Sequence, residues 1–255
     1  MAQIISLANQ KGGVAKTTSA FNIGKCLALK GKRTLLIDFD SQASLTICSG
    51  LEPFDYENTI VSILSNENQD VRSCIIHFDD KTPDIITSRL DLAQMEMVLI
   101  SRPQRETILK RALDQISDLY DYILIDCPPQ LGILTINALA CSDWVLIPVA
   151  TNYLAYRGVE YLEETIAGIQ EYVNPDLQLM GVIGTLHDTR LRDDRDILRA
   201  LRKKYNVLGT VRNLSAGRRS LYDGIMAYDT SSRNPVAREY SYITDQILII
   251  TGGNQ

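Results

Sequence analysis

The residues best suited to chemistry stand near the start of the chain, in Asn9-Gln10-Lys11-Gly12-Gly13-Val14-Ala15-Lys16-Thr17-Thr18. Two ammonium groups five positions apart, two adjacent glycines and two hydroxyls form a set that suits a chain of phosphates. The glycines let the backbone bend and come close to a ligand, and the lysines supply positive charge. Two acidic segments complement this loop, Asp38-Phe39-Asp40 and Asp126-Cys127-Pro128-Pro129. Carboxylates beside phosphates can hold cation-bound water or orient an attacking water.

Positioning these groups requires particular elements. Gln3-Ile4-Ile5-Ser6-Leu7-Ala8 is a short apolar strand, and after the loop Phe21, Ile23, Leu27 and Ala28 recur at helical spacing up to Gly31, a C-terminal cap. A strand running through a glycine loop into a helix gathers free N–H groups and the positive helix end around one small volume. Arg33 to Asp38 is a buried-strand pattern that brings Asp40 to its carboxyl end. Tyr122-Ile123-Leu124-Ile125 is an apolar run ending at Asp126, which emerges at the carboxyl edge of a parallel sheet. Further strands are expected at residues 83–88, 144–150, 179–186 and 207–212. Helices are expected around 92–99, from Arg105 through Ile116, over 159–169, over 193–205 and over 235–250. Alternation of strand and helix from end to end points to an α/β fold, a doubly wound, mostly parallel sheet flanked by helices. Residues 50–82 are irregular, and the chain reads as a single domain over 1–255.

The usual phosphate loop, G-x-x-x-x-G-K-[ST], is broken at both glycines, where Gln10 and Ala15 stand, while Lys16 and Thr17 are kept. Lys11-Gly12-Gly13-x-x-Lys16-Thr17 resembles the deviant Walker A loop of the ParA/MinD superfamily of ATPases, and is nearest to the ParA (Soj-like) partition proteins. Asp38-Phe39-Asp40-Ser41-Gln42 is similar to that family's D-x-D-P-Q segment, with Ser41 replacing proline, and Ile125-Asp126-Cys127-Pro128-Pro129 to its I-D-x-P-P segment. Arg212-Asn213 resembles the P-R-N segment near the adenine, with Val211 in place of proline.

The resemblance implies ATP and Mg²⁺ on residues 11–18, with Lys16 bridging the β and γ phosphates and Thr17 ligating the metal. Asp126 would hold the metal through water, and Asp40 would activate water and help organise the metal. Lys11 would reach the phosphates bound by a second subunit in an ATP-dependent homodimer. Hydrolysis would be stimulated by a ParB-like centromere-binding partner.

The 255 residues are 45% hydrophobic and 22% charged, enough for an ordinary core. The five cysteines are widely spaced and never in a C-x-x-C pair, which points to neither a disulfide framework nor a zinc site. No run approaches the roughly 18 apolar residues of a membrane span, and no basic leader precedes an apolar stretch. A cytoplasmic protein without membrane partners is expected, and the resemblance implies association with the nucleoid. With only a short segment before the loop, no N-terminal helix-turn-helix like that of larger ParA proteins is expected.

Charge is unevenly distributed. Residues 190–219 carry ten basic side chains against three acidic ones, in a chain whose net charge is −5. On a helix over 193–205, Ile197, Leu198, Leu201 and Tyr205 face inward, while Arg192, Arg195, Arg199 and Arg202 line another side. Like charges at this spacing repel, so the stripe suits a polyanion whose phosphates supply the missing counter-charge. With no aromatic residues interleaved, the expected ligand is the backbone of non-specific double-stranded DNA, contacted by Arg195, Arg199 and Arg202. The resemblance implies further contacts from C-terminal basic residues of the dimer, matched first to Arg190 and Arg218, with Arg219 beside them. Three other readings share parts of the pattern: a positioning ATPase for a protein cargo, a MinD-like membrane-positioning ATPase and a bacterial tyrosine kinase. The residues 235–250 lack the basic face a membrane-targeting tail needs. Only Tyr240 and Tyr242 lie near the end for autophosphorylation.

Overall fold

The computed structural model describes residues 1–213 and 234–252. Its first half runs β1 (Gln3–Leu7), α1 (Lys16–Leu29), β2 (Thr34–Asp38), α2 (Ser44–Cys48), α3 (Ile60–Ser65), β3 (Ile75–Ile76), β4 (Asp84–Ile86), α4 (Leu92–Ile100) and α5 (Ile108–Leu113). The second half runs β5 (Tyr122–Asp126), α6 (Ile133–Cys141), β6 (Trp144–Ala150), α7 (Tyr153–Tyr172), β7 (Gln178–His187), α8 (Arg192–Lys204), β8 (Val207–Arg212) and α9 (Pro235–Ile250).

Among the described residues the strands form one sheet in the order β3-β4-β2-β5-β1-β6-β7-β8. Every pairing is parallel except β3 with β4. The strands are apolar on both faces because both faces are covered. Leu35, Ile37, Ile123, Ile125 and Ile147 point into a core shared with α3 to α8. Their neighbours Leu36, Leu124 and Leu146 point into a second core built with α1, α2 and α9. Helix α1 lies close to the sheet at Gly24, where a Cβ would come within 2.6 Å of Leu36 Cδ2. Helix α9 is fastened to α1 by a buried pair, Tyr240 Oη and Ser19 Oγ, at 3.2 Å.

Two registers place the chemistry. Leu7 of β1 and Asp38 of β2 both stand opposite Asp126 of β5, so three strands end level with one another. Strand β1 has β5 on one side and β6 on the other, and the winding of the chain reverses across it. A crevice at the carboxyl ends of such strands is where open α/β sheets bind ligands.

Expected strands and helices are found with three differences. The helix expected from Arg105 to Ile116 is a short 3₁₀ turn at Arg105–Thr107 followed by α5, which ends at Leu113. Asn137 of α6 explains that start: its Oδ1 accepts the Leu109 N–H at 3.2 Å while its Nδ2 donates to the Arg105 carbonyl at 2.7 Å. The strand expected over 83–88 is only Asp84–Ile86. The region read as irregular contains α3 and the antiparallel edge strand β3.

Candidate functional site

The phosphate loop leaves β1 through Asn9, which is buried and anchors it. Its Nδ2 donates to the Pro148 carbonyl of β6 at 2.7 Å, and its Oδ1 accepts the Lys11 N–H at 2.9 Å. Gly13 has φ +73° and Ala15 φ +65°, both in the left-handed region. Ala15 occupies the position where the usual phosphate loop has glycine, and the bend that glycine serves is present without it. Left-handed backbone on a residue with a Cβ costs on the order of 1 kcal/mol, and such strain gathers at ligand sites. Helix α1 begins at Lys16 with no acidic residue in its first turn, so nothing within the helix offsets its positive end.

An open cavity of about 480 Å³ lies over this helix end, lined by Gly12, Gly13 and residues 15–18 of the loop and by Asp40, Gln42 and Pro129. Lys16 is buried at its edge, with Nζ donating to the carbonyls of Asn9 at 3.2 Å and Lys11 at 3.4 Å. Burial holds its ammonium below the ordinary lysine range, against the opposing pull of Asp126, Cys127 and Asp40. Lys11 turns elsewhere. It does not line the cavity, and its Nζ reaches Asn152 Oδ1 at the start of α7, 2.9 Å away.

Asp38, which ends β2, and Asp40 just beyond it have different environments. Asp38 is fully buried, and its carboxylate accepts the N–H and hydroxyl of Thr46, both at 2.7 Å, which ties α2 to the sheet. Burial pushes its carboxyl up to about 6 despite these bonds. Asp40 is only half-buried and faces the cavity, with Oδ1 accepting the Gln42 N–H at 3.0 Å.

Asp126 is the most telling group. It is buried, and among the described residues neither carboxylate oxygen makes a well-formed hydrogen bond, although the Thr17 hydroxyl lies close enough to draw its carboxyl down. Burial first and the Asp38 carboxylate second push it up to about 8, although Thr17 and Lys16 oppose the rise. An orphaned buried carboxylate is expensive unless something pairs with it. Among the described residues no cluster of three or more acidic, histidine or cysteine side chains could hold a metal by itself. Magnesium, bound through one or two protein oxygens together with water and phosphate, fits the donor set Thr17, Asp40 and Asp126.

The other expected residues lie apart from the cavity. Arg212 is committed to Glu239 of α9, with its backbone N–H on Oε2 at 3.0 Å and Nε on Oε1 at 2.6 Å, and the Asn213 N–H donates to the His187 carbonyl at 3.2 Å. Neither lines the phosphate cavity. On α8, Leu198 and Leu201 are buried and Ile197 half-buried, as expected, with Tyr205 buried just beyond. Arg192, Arg195, Arg199 and Arg202 are exposed. Asp196 sits between Arg192 at 3.7 Å and Arg199 at 2.8 Å. Arg190 is paired with Asp188 at 2.7 Å, and Arg195 donates to the Thr189 carbonyl at 2.8 Å. Arg218 and Arg219 lie outside the described residues. Asn9, Asn152 and Asp38 were not singled out from sequence as site residues, although Asn9 and Asp38 each lie within a segment that was.

A strand, a strained loop and a positive helix end at the switch point of a parallel sheet, with acids from two neighbouring strands, define a P-loop nucleotide-binding protein. Comparison with known proteins narrows this. The AAA domain family matches residues 2–179. The sporulation initiation inhibitor protein Soj of Bacillus subtilis is 42% identical over 205 residues, covering 80% of this chain and 81% of Soj. The chromosome-partitioning ATPase Soj of Treponema pallidum is 34% identical over 258 residues, covering 94% and 99%. The chain therefore belongs to the ParA/Soj family of partition ATPases. It spans 65% of the length of two Mycobacterium tuberculosis relatives, to which it is 37% identical over 207 residues. The crystal structure of cobyrinic acid a,c-diamide synthase from Mycobacterium smegmatis, with bound ATP analog and magnesium, superposes with a TM-score of 0.85 at 31% identity, covering all of this chain and 98% of the other.

Proposed function

We propose that this chain is an ATP-dependent partition ATPase that pairs with a second copy around ATP, binds DNA without sequence preference, and releases it on hydrolysis. The observation that carries this reading is the divergence of the two loop lysines. Lys16 is buried at the edge of the cavity, where one triphosphate would sit, and Lys11 points away from it to Asn152, free of the chain's own phosphate site and available to a second subunit's phosphates. The Mycobacterium smegmatis fold neighbour holds an ATP analog and magnesium, which supports the same ligands here.

Bound ATP and Mg²⁺ supply the phosphoryl group and a charge centre for it. The residues of this chain do the rest. The N–H groups of the loop and the α1 terminus hold the phosphates, and Lys16 adds charge where it develops. Thr17 and Asp126 present oxygens to the metal. Asp40, half-buried and open to the cavity, orients water. Charge from a partner's Lys11 acts in a site closed by the partner itself, so ATP favours the pair and hydrolysis dissolves it.

Pairing doubles the basic surface on α8, which couples nucleotide state to DNA binding through avidity. A ParB-like protein on the DNA cargo would stimulate turnover, and the protein would work on the nucleoid in the cytoplasm. The apolar side of α9 packs Tyr240, Ile243 and Ile247 into the core and leaves them unavailable to a bilayer, which favours DNA over a membrane as the surface bound. Among the described residues no helix is long and apolar enough to cross a membrane.

Retention of random-sequence duplex DNA on filters, with Mg²⁺ and either ATP or ADP, tests this reading. Retention with ATP, falling steeply with salt, is expected. Equal retention with ADP, or none with ATP at low salt, overturns it.

A further inference from the structure

The loop is also held from behind, by a chain of buried polar groups that ends on α8. The Val14 carbonyl accepts a hydrogen bond from Thr185 Oγ1 of β7 at 2.8 Å. The Thr185 carbonyl accepts the Thr151 N–H at 3.1 Å, and Thr151 Oγ1 donates to Asp194 Oδ2 at 2.7 Å. Asp194 stands in the first turn of α8, and the same Oδ2 accepts the Asp188 N–H at 2.8 Å. His187 flanks the junction, with Nδ1 at 3.3 Å from Thr151 Oγ1 and 3.8 Å from Asp194. Thr185, Thr151 and His187 are buried. Asp193 and Asp196 are exposed, whereas Asp194 turns inward.

Geometry makes the loop end of this chain sensitive to a ligand. The carbonyl of Val14 and the N–H of Ala15 belong to one planar trans peptide, so they point in opposite directions. With the carbonyl aimed at Thr185, the N–H is aimed away from β7, on a residue that lines the cavity. A phosphate taken up by that N–H turns the plane that Thr185 holds. The neighbours Gly13 and Ala15 both have left-handed backbone, which makes this the strained part of the loop. At the other end, α8 meets the core through few apolar side chains, Leu198 and Leu201 with Ile197 beside them, so the Asp194 contacts fix its first turn.

We infer that Thr185, Thr151 and Asp194 form a strut through which the nucleotide state of the loop sets the docking of α8 and hence the presentation of its arginines. These are positioning residues: none lines the phosphate cavity. The inference rests on the reading that residues 11–18 hold a nucleotide.

Amide hydrogen exchange of α8, with and without ATPγS and Mg²⁺, tests it, alongside a titration with a fluorescent ATP analogue. In the unaltered chain ATPγS is expected to change α8 exchange by about tenfold, within the range of ordinary site coupling. Thr151→Val removes the donor at constant shape and is expected to cut that response to below about twofold while the analogue still binds. Thr151→Ser keeps the hydroxyl and should restore the response. Should Thr151→Val fail to fold, Asp194→Ala, which removes the acceptor of both bonds, is measured in the same way with the same expectation. If the analogue binds and α8 does not respond in the unaltered chain, or responds equally in Thr151→Val, the strut is wrong. If the analogue does not bind at all, the nucleotide reading itself falls, and the strut with it.

Discussion

Lys11 and Asn152 meet between the phosphate loop and α7: the ammonium donates to Asn152 Oδ1 at 2.9 Å, and the same oxygen accepts the Ala155 N–H at 3.0 Å as the N-cap of α7. One side-chain oxygen thus serves a helix cap and a loop lysine at once. An exposed bond of this kind contributes under about 1 kcal/mol, so it parks Lys11 without trapping it. Asn152→Ala is expected to lower stability by about 1 kcal/mol through loss of the cap, whereas Asn152→Ser should keep most of it. Thermal unfolding of the two variants decides, with a melting temperature about 2–4 °C lower for alanine. Equal melting temperatures would show that the cap is not what Asn152 supplies.

Asp126→Asn should separate stability from turnover. The Asp126 carboxyl is raised to about 8, chiefly by burial and next by Asp38, against an ordinary value of 3.8. Such a group contributes its stability fully below 3.8 and loses it as pH rises through about 8. Asp38, raised to about 6, acts in the same direction over a lower window. The nucleotide-free asparagine variant is expected to be more stable than the parent by about 1–3 kcal/mol at pH 8, with the gap closing towards pH 4. Its Mg²⁺-dependent ATP hydrolysis should be lost. Melting curves across that pH range, with a phosphate-release assay, check both halves. A destabilised variant at pH 8 would contradict the orphaned-carboxylate account.

Ala15→Gly relieves a left-handed backbone, φ +65° and ψ +35°, at a position where glycine is at ease. Relief of that strain, less the added freedom of the unfolded chain, leaves a gain on the order of 0.5–1 kcal/mol. Urea unfolding measures it. A loss of stability would mean that the methyl group of Ala15 contributes packing that outweighs the strain.

Arg195→Glu with Arg199→Glu reverses two exposed charges on α8 while leaving Leu198 and Leu201 in place. Affinity for random duplex DNA should fall uniformly across sequences, and the slope of log affinity against log salt should become shallower by about 2. ATP affinity should be unchanged. An unaltered salt slope would remove these arginines from the interface.

Much of this was legible in sequence because the chemistry and the hydrophobic pattern coincide. Asp126 closes one apolar strand, and Lys16 and Thr17 open the helix that the loop joins to another, so both sets of groups come to the same sheet edge. Short elements were hidden for the opposite reason. Helices α2 and α3 and strand β3 contain too few residues to show a period. Arg212 resembles a residue near the adenine by its local segment, whereas its partner Glu239 is 27 residues away and no local pattern announces it. Asp194 looked like one of three acids offsetting a basic helix, and only the fold shows it turned inward to Thr151. Long-range polar pairing of this sort is set by topology, which spacing does not encode.

The central claim is that Lys11 serves a second subunit's nucleotide. Its most direct test is the mass in solution of Lys11→Ala, Lys16→Ala and the unaltered chain, measured by light scattering with ATPγS and Mg²⁺. The unaltered chain should double its mass, and Lys11→Ala should remain a monomer while still binding a fluorescent ATP analogue, unlike Lys16→Ala. A Lys11→Ala chain that doubles its mass as the parent does would contradict the account.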